Sequence, residues 1–331
     1  FSFLILVFPQ FSGGDMFTFG VVATQGGVGK TTVAANLGGL LADIGYRVLL
    51  IDADVQPSLS RYFVVSKEAE HGLTKMVMDG SLTPECISQI ELPPESFSGD
   101  HDLLNKQGGF LHLVRSDTRD GRLQDWLSNR LDRLVRIRMA IKNTSLADSY
   151  DVAIIDTQGA VGHLQDAAVN ASDLLITPAS PDIISAREFV DGTLTLLDRH
   201  ESSANMGFTV PAMRAIINRA EKTVDSRSMA GLIRDQFMTL RGRVTVLNTV
   251  VTAAVAYKKA ATSQVPVHWI DPVKAGDTMH ALLWELLPHL EGTFAPNHRK
   301  EIDPSLVVPK ADPAPETGAD GEHTSAGTDD E

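Results

Sequence analysis

Cysteine is almost missing from this chain: Cys86 is the only one in 331 residues. An internal disulfide is therefore impossible and a CxxC metal or cluster site is excluded, which fits a reducing cytoplasm. Cys86 reads as a small buried hydrophobe. Long apolar runs are also missing. The first residues, Phe1-Ser2-Phe3-Leu4-Ile5-Leu6-Val7-Phe8-Pro9, fall far short of the roughly 20 residues that span a bilayer, and they lack the basic start of a signal peptide. Met16 directly precedes the first strand-like run, so residues 1–15 read as an upstream extension. No internal repeat is visible.

Positive charge is scarce. The formal net charge is −13. Nine carboxylates against Lys310 put −8 of this on residues 301–331, and Asp15 is the only charge before Met16, which leaves −4 for residues 16–300. A mildly acidic body can still carry a basic face, so nucleic acid is not excluded. From about residue 296 the chain is Pro, Ala, Asp, Glu, Gly and Thr with little to bury, and it reads as an acidic disordered tail. Residues 91–108, with Pro93, Pro94, Gly99 and Gly108 and followed by Gly109, read as a surface loop.

What the chain has is an alternation of short apolar runs and helical patterns. Strands are expected at Phe17–Ala23, Val48–Ile51, Phe110–Val114, Val152–Ile155, Leu174–Thr177, Ala215–Ile217 and Val244–Leu247. Helices are expected at Thr31–Ile44 (stopped by Gly45), Leu123–Ile141, Ile183–Leu197, Ser226–Leu240, Ala253–Thr262 and Ala275–Leu290. This order predicts an α/β fold of the P-loop NTPase kind, a mostly parallel twisted sheet with helices on both faces, over residues 16–295. Polar residues cluster where strands end: Asp52, Asp156, Pro178 and Asn218. Ligands sit at that edge in open α/β sheets.

Between the first strand and the first helix lies Thr24-Gln25-Gly26-Gly27-Val28-Gly29-Lys30-Thr31-Thr32. Glycines allow backbone N–H groups to turn inward around phosphate oxygens, and the helix N-terminus behind them favours negative charge. Lys30 is placed to reach the β- and γ-phosphates of ATP, and the Thr31 hydroxyl to ligate Mg²⁺. Gln25, Gly26, Gly27, Val28, Gly29 and Thr32 complete the cradle. Asp52 and Asp156 each end a strand, where an aspartate also serves as a helix N-cap.

The double glycine before Val28 resembles the deviant Walker A loop of the ParA/MinD ATPases. The resemblance extends to Leu49-Leu50-Ile51-Asp52-Ala53-Asp54-Val55-Gln56-Pro57-Ser58, which is similar to that family's switch I. It continues in Tyr150-Asp151-Val152-Ala153-Ile154-Ile155-Asp156-Thr157, similar to Walker B and switch II, and in Ala171-Ser172-Asp173-Leu174-Leu175-Ile176-Thr177-Pro178. Weaker similarity continues to about residue 290. The resemblance implies that Asp54 orients the attacking water, that Asp52 and Asp156 hold Mg²⁺ largely through its waters, and that Asn218 reads adenine; a turn-forming Asn218 is the alternative. One departure is Gln25, which stands where the family has a lysine that reaches the partner subunit's nucleotide. It implies slow hydrolysis.

Within the family, the iron–sulfur branches lack support for want of cysteines. An acidic tail in place of a basic amphipathic helix argues against membrane attachment. The last tyrosine, Tyr257, leaves no terminal tyrosine cluster of the kinase branch. ParA/Soj-type partition proteins remain. That resemblance implies a cytoplasmic, nucleoid-associated protein that forms an ATP-dependent homodimer, binds DNA nonspecifically and works with a ParB-like centromere-binding partner. Arg214, Arg219, Arg241, Arg243, Lys258 and Lys259 are the candidate DNA contacts, with a solvated helix face as the alternative. A positioning scaffold for a protein cargo, with little hydrolysis, is the other functional expectation.

Overall fold

The computed structural model describes residues 16–91, 109–118, 120–144, 146–159, 161–202, 207, 210–238 and 243–291. The expected extension at 1–15, all but the first residue of the loop expected at 91–108, the tail expected from 296 and Arg241 lie outside the described residues.

The strands are β1 (Phe17–Val21), β2 (Arg47–Ala53), β3 (Val65–Lys67), β4 (Ser88–Ile90), β5 (Phe110–Val114), β6 (Val152–Thr157), β7 (Leu174–Ala179), β8 (Ala212–Ala220) and β9 (Val244–Thr252). They form one sheet in the order β3-β4-β5-β2-β6-β1-β7-β8-β9. From β5 to β9 all pairing is parallel, and only the short β4 runs the other way, pairing antiparallel with both β3 and β5. The expected fold class is what the structure has.

Central strands alternate between two apolar faces, as the pleat requires. Val48, Leu50, Val152 and Ile154 pack with Leu37, Leu40 and Leu41 of α1 (Lys30–Asp43) and with α10 (Asp277–Leu286). Leu49, Ile51, Ala153 and Ile155 pack with α2 (Leu73–Asp79), α3 (Arg122–Ser128), α4 (Arg136–Lys142) and α5 (His163–Ala171). Beyond β1, Leu175, Ala215 and Ile217 pack with Phe189 of α6 (Ile183–Glu201) and Phe237 of α7 (Val224–Met238). The remaining helices are α8 (Val255–Ser263) and α9 (Val267–Ile270).

Several boundaries differ from the sequence expectation. The single helix over Leu123–Ile141 is two helices with a break at residues 129–135. Leu131 continues the apolar spacing, yet it is fully exposed and never reaches the core. Arg130 instead closes a local pair with Asp132 at 2.6 Å. The helix expected at Ala275–Leu290 starts at Asp277, after a turn held by the Asp271 carboxylate, which accepts from the Lys274 amide at 2.9 Å. It stops before Pro288, which cannot continue the ladder. β7 runs through Pro178 rather than ending there. Its pairing with β1 ends at Ile176, so the absent proline N–H breaks no bond on that side. Gly45 does end α1, at φ 101° in the left-handed region.

Candidate nucleotide site

The C-terminal ends of β1, β2, β6 and β8 meet at one edge. The loop after β1 turns on Gly27 (φ 77°) and Gly29 (φ 94°), conformations a side chain would strain. α1 then opens at Lys30, with no acidic residue in its first turn to compete for the dipole. The loop is held from behind. Asn218 Nδ2 donates to the Val28 carbonyl at 2.7 Å, Gln165 Nε2 to the Ala23 carbonyl at 3.0 Å, and Thr157 Oγ1 to the Val21 carbonyl at 2.9 Å. Gly159 is so close that a Cβ there would meet the Gln25 carbonyl and Gly26 backbone at 2.8 Å. Gln25 is half-buried; its carbonyl accepts from Lys30 Nζ at 3.3 Å.

Lys30 is 7% exposed. Burial lowers its pKa, opposed by the nearby charges of Asp156 and Asp54. Asp52 and Asp156 are direct partners in the β2–β6 register, and both are fully buried. Their surroundings nevertheless differ. Asp52 Oδ2 accepts from the Ser60 amide (2.8 Å) and hydroxyl (2.7 Å), and Oδ1 from the Asp54 amide (3.2 Å). Burial pushes its carboxyl up to about 6, against the pull of those donors. Asp156 has one donor, the Thr31 hydroxyl at 2.6 Å, and its Oδ1 has no partner among the described residues. Burial and the neighbouring Asp52 push Asp156 up to about 8.

A buried carboxylate oxygen left open beside a threonine hydroxyl suits a divalent cation, whose charge would supply what the protein does not. Among the described residues no cluster of three or more His, Cys, Asp or Glu forms a cage.

Asp54 is partly exposed and its backbone is tied on both sides. Its amide donates to Asp52, and its carbonyl accepts a short hydrogen bond from Ser116 Oγ. The Ser116 amide in turn donates to Ser60 Oγ at 2.9 Å. Ser60, Ser116, Gln165 and Gly159 were not singled out from sequence. Ser116 lies far from any motif, and only its place at the end of β5, next to β2, brings it in.

The expected basic face is redistributed. Arg243 is spent on Asp198 and Glu201, each at 2.8 Å. Arg214 is half-buried and bonds Thr245 Oγ1 at 3.0 Å. Arg219 and Lys258 line a cavity of about 690 Å³ with Thr32, Asn218, Glu221 and Tyr257. Lys259 is exposed.

The AAA domain family model matches residues 18–205, more than half of the chain. The chain belongs to the ParA/MinD-type P-loop ATPases. A Rhizobium rhizogenes protein assigned the name replication protein A is 31% identical over 237 residues, which is 69% of this chain and 57% of that protein. This chain therefore spans little more than half of that relative's length. The sporulation initiation inhibitor protein Soj of Bacillus subtilis is 24% identical, covering 76% of this chain and 90% of Soj. Among solved structures, the ATP complex of Cyanothece McdA shares the fold at a TM-score of 0.66 and 20% identity, over 83% of this chain and 98% of McdA. Among the described residues no helix is long and apolar enough to cross a membrane.

Proposed function

We propose that this chain is an Mg²⁺-dependent ATPase that closes as a dimer around ATP and uses that cycle to segregate or position a large cargo. The observation that carries the reading is the convergence of the Gly26–Lys30 loop, Thr31 and the open Oδ1 of Asp156 at one sheet edge. In this reading the loop amides and Lys30 hold the triphosphate. Thr31 directly, and Asp156 and Asp52 through water, would hold Mg²⁺, which neutralises charge on the phosphates. Asp52, satisfied by Ser60 and Asp54, also braces the segment that carries Asp54. Asp54 orients the attacking water; its amide and carbonyl are tied to Asp52 and Ser116, and its carboxylate accepts from the Gln56 amide at 2.9 Å. Gln25 brings a neutral amide where relatives bring an ammonium, so turnover is slow.

For the cargo, the first reading is nonspecific DNA through Lys258, Lys259 and Arg214, with a ParB-like partner, in the nucleoid-associated cytoplasm. The second is a protein cargo, and the consumption of Arg243 in ion pairs favours it, because that leaves the DNA face thinner than its sequence implies. Steady-state ATPase assays with and without nonspecific DNA test the proposal. Stimulation by DNA that disappears at high salt supports the first reading. ATP turnover indifferent to DNA supports the second, and no turnover under any condition overturns both.

A further inference from the structure

Helix α8 has one unpartnered face. Val255, Lys258, Lys259 and Thr262 are spaced i, i+3, i+4 and i+7, which puts them on one side, and all four are exposed. The opposite side is packed: Ala260 is fully buried, and Ala256 and Tyr257 lie against the core that α1 and α10 share. The helix is fixed at both ends. The Ala253 amide, just before it, donates to the Ala220 carbonyl at 2.9 Å, and Gln264, just after it, donates to the Arg61 carbonyl at 3.2 Å. Neither lysine has an acidic partner among the described residues, whereas Arg47, Arg130 and Arg243 all do.

The chain enters its acidic C-terminal stretch beside this face. α1 begins at the phosphate loop and ends at Asp43, whose Oδ2 meets His268 Nε2 at 3.0 Å. Gly276, which precedes α10, packs so closely on His268 that a side chain there would lie 3.3 Å from the His268 Cβ. α10 therefore starts at the end of the sheet away from the nucleotide site. It climbs until Glu285 accepts from the Thr249 amide at 3.2 Å, in the second half of β9. Leu286, Leu287 and Leu290 then share one apolar cluster with Ala260 of α8. Nine residues, 292–300, separate Glu291 from Glu301. At full extension they reach roughly 30 Å, and α8 is only about 14 Å long.

Residues 301–331 carry nine carboxylates against Lys310. A segment tethered this closely stands at a millimolar effective concentration, and a polyanion binds a basic face with a Kd of about 0.1 mM at the weak end, so the tether keeps the face about nine-tenths occupied. We propose that the acidic segment 301–331 docks in cis on the Lys258–Lys259 face of α8 and shields it from nucleic acid. DNA must displace the segment before it reaches the lysines. The masking of DNA rests on the DNA-binding reading above; the docking does not.

The test compares wild type with a variant whose nine carboxylates in 301–331 are replaced by their amides, which keeps the length and removes the charge. Binding of a short nonspecific duplex to each, with Mg²⁺ and AMPPNP, is followed by fluorescence anisotropy across a salt series. The neutral-tail variant should bind about tenfold tighter at low salt, and the gap should close as salt rises, because the tail's own contacts are screened too. In a Lys258→Gln/Lys259→Gln background most of that gain should vanish. A neutral tail that binds DNA no more tightly overturns the inference. So does an equal gain in the background without the lysines, which would make the tail a diffuse repulsion. Carbodiimide coupling of the full chain, read by mass spectrometry, tests the docking without DNA: it should join Lys258 or Lys259 to carboxylates of 301–331 within one chain. If neither form binds DNA, the DNA reading fails by itself and the coupling alone decides the docking. Coupling only between a ¹⁵N-labelled and an unlabelled chain, or none to either lysine, overturns it.

Discussion

The two halves of the sheet edge were encoded differently. In the phosphate half, at the ends of β1, β2 and β6, each functional group belongs to a contiguous run that carries its own geometry: glycines with positive φ, then Lys30 and Thr31, then a strand ending in an aspartate. In the other half, at the ends of β8 and β9, the charged residues are spread over some 45 positions, and their roles depend on partners that no local pattern reveals. Arg243 meets Asp198 and Glu201 across more than 40 residues. Arg219 is exposed and lies beside Gly29, next to a break in the β8–β9 register. Motifs specify chemistry when the backbone itself is the binding surface, whereas a run of arginines only counts charge.

The largest expected effect lies in the phosphate half. Asp54→Ala should bind Mg·ATP normally and lose turnover by about 10²–10⁴, the scale of a positioned acid–base or water-orienting group. Single-turnover kinetics beside equilibrium binding checks this, and normal turnover would make the two halves equally poorly read.

On the other half, α10 packs against β9 and carries His280, buried beside Trp284 with ring centroids 5.9 Å apart. Burial, with His268 nearby, holds its pKa at about 4, below the ordinary 6.5. Above pH 6.5 the ring is neutral in both folded and unfolded chains, so folding carries no proton cost. As pH falls from 6.5 toward 4, only the unfolded chain takes the proton, and stability is lost over that window by up to about 3 kcal/mol. His268, against Asp43 at 3.0 Å, stands in the same layer. Denaturant midpoints between pH 7.5 and 4.5 should fall less steeply for His280→Leu than for wild type. Parallel slopes would remove His280 as the cause.

Ser116→Ala should lower kcat about three- to tenfold with KM unchanged, the worth of one hydrogen bond that holds Asp54, and Ser116→Thr should restore part of it. A change confined to KM would mean that Ser116 acts on binding. The smallest effect sharpens the contrast within the basic residues. Reversing charge at Lys258 and Lys259 should weaken DNA retention and reduce its salt slope, while Arg243→Ala changes it less than about twofold, measured by fluorescence anisotropy across a salt series. Equal losses would restore the broad basic face that the sequence implied.

Much of the fold was legible because buried parallel strands are short apolar runs, as at Phe110–Val114, whose bounds match the structure. β3 and β4 were not, being three-residue strands at one margin of the sheet with half their side chains exposed. Nor were α2 and α5, which are short, at seven and nine residues. α3 and α4 were merged because Leu131 keeps the apolar spacing across a break with no glycine or proline. At the site, the pairing of Asp52 with Asp156 was implied by two strand ends. The asymmetry between them was not, since it comes from Ser60, eight residues on, folding back onto Asp52 alone.

The most direct measurement is titration of AMPPNP into wild type and Lys30→Ala, with Mg²⁺ and with EDTA, while circular dichroism monitors the fold. The account predicts tight binding by wild type that weakens sharply when Mg²⁺ is removed, and at least a hundredfold loss in a fully folded Lys30→Ala. Binding that is indifferent to both Lys30 and Mg²⁺ would contradict it.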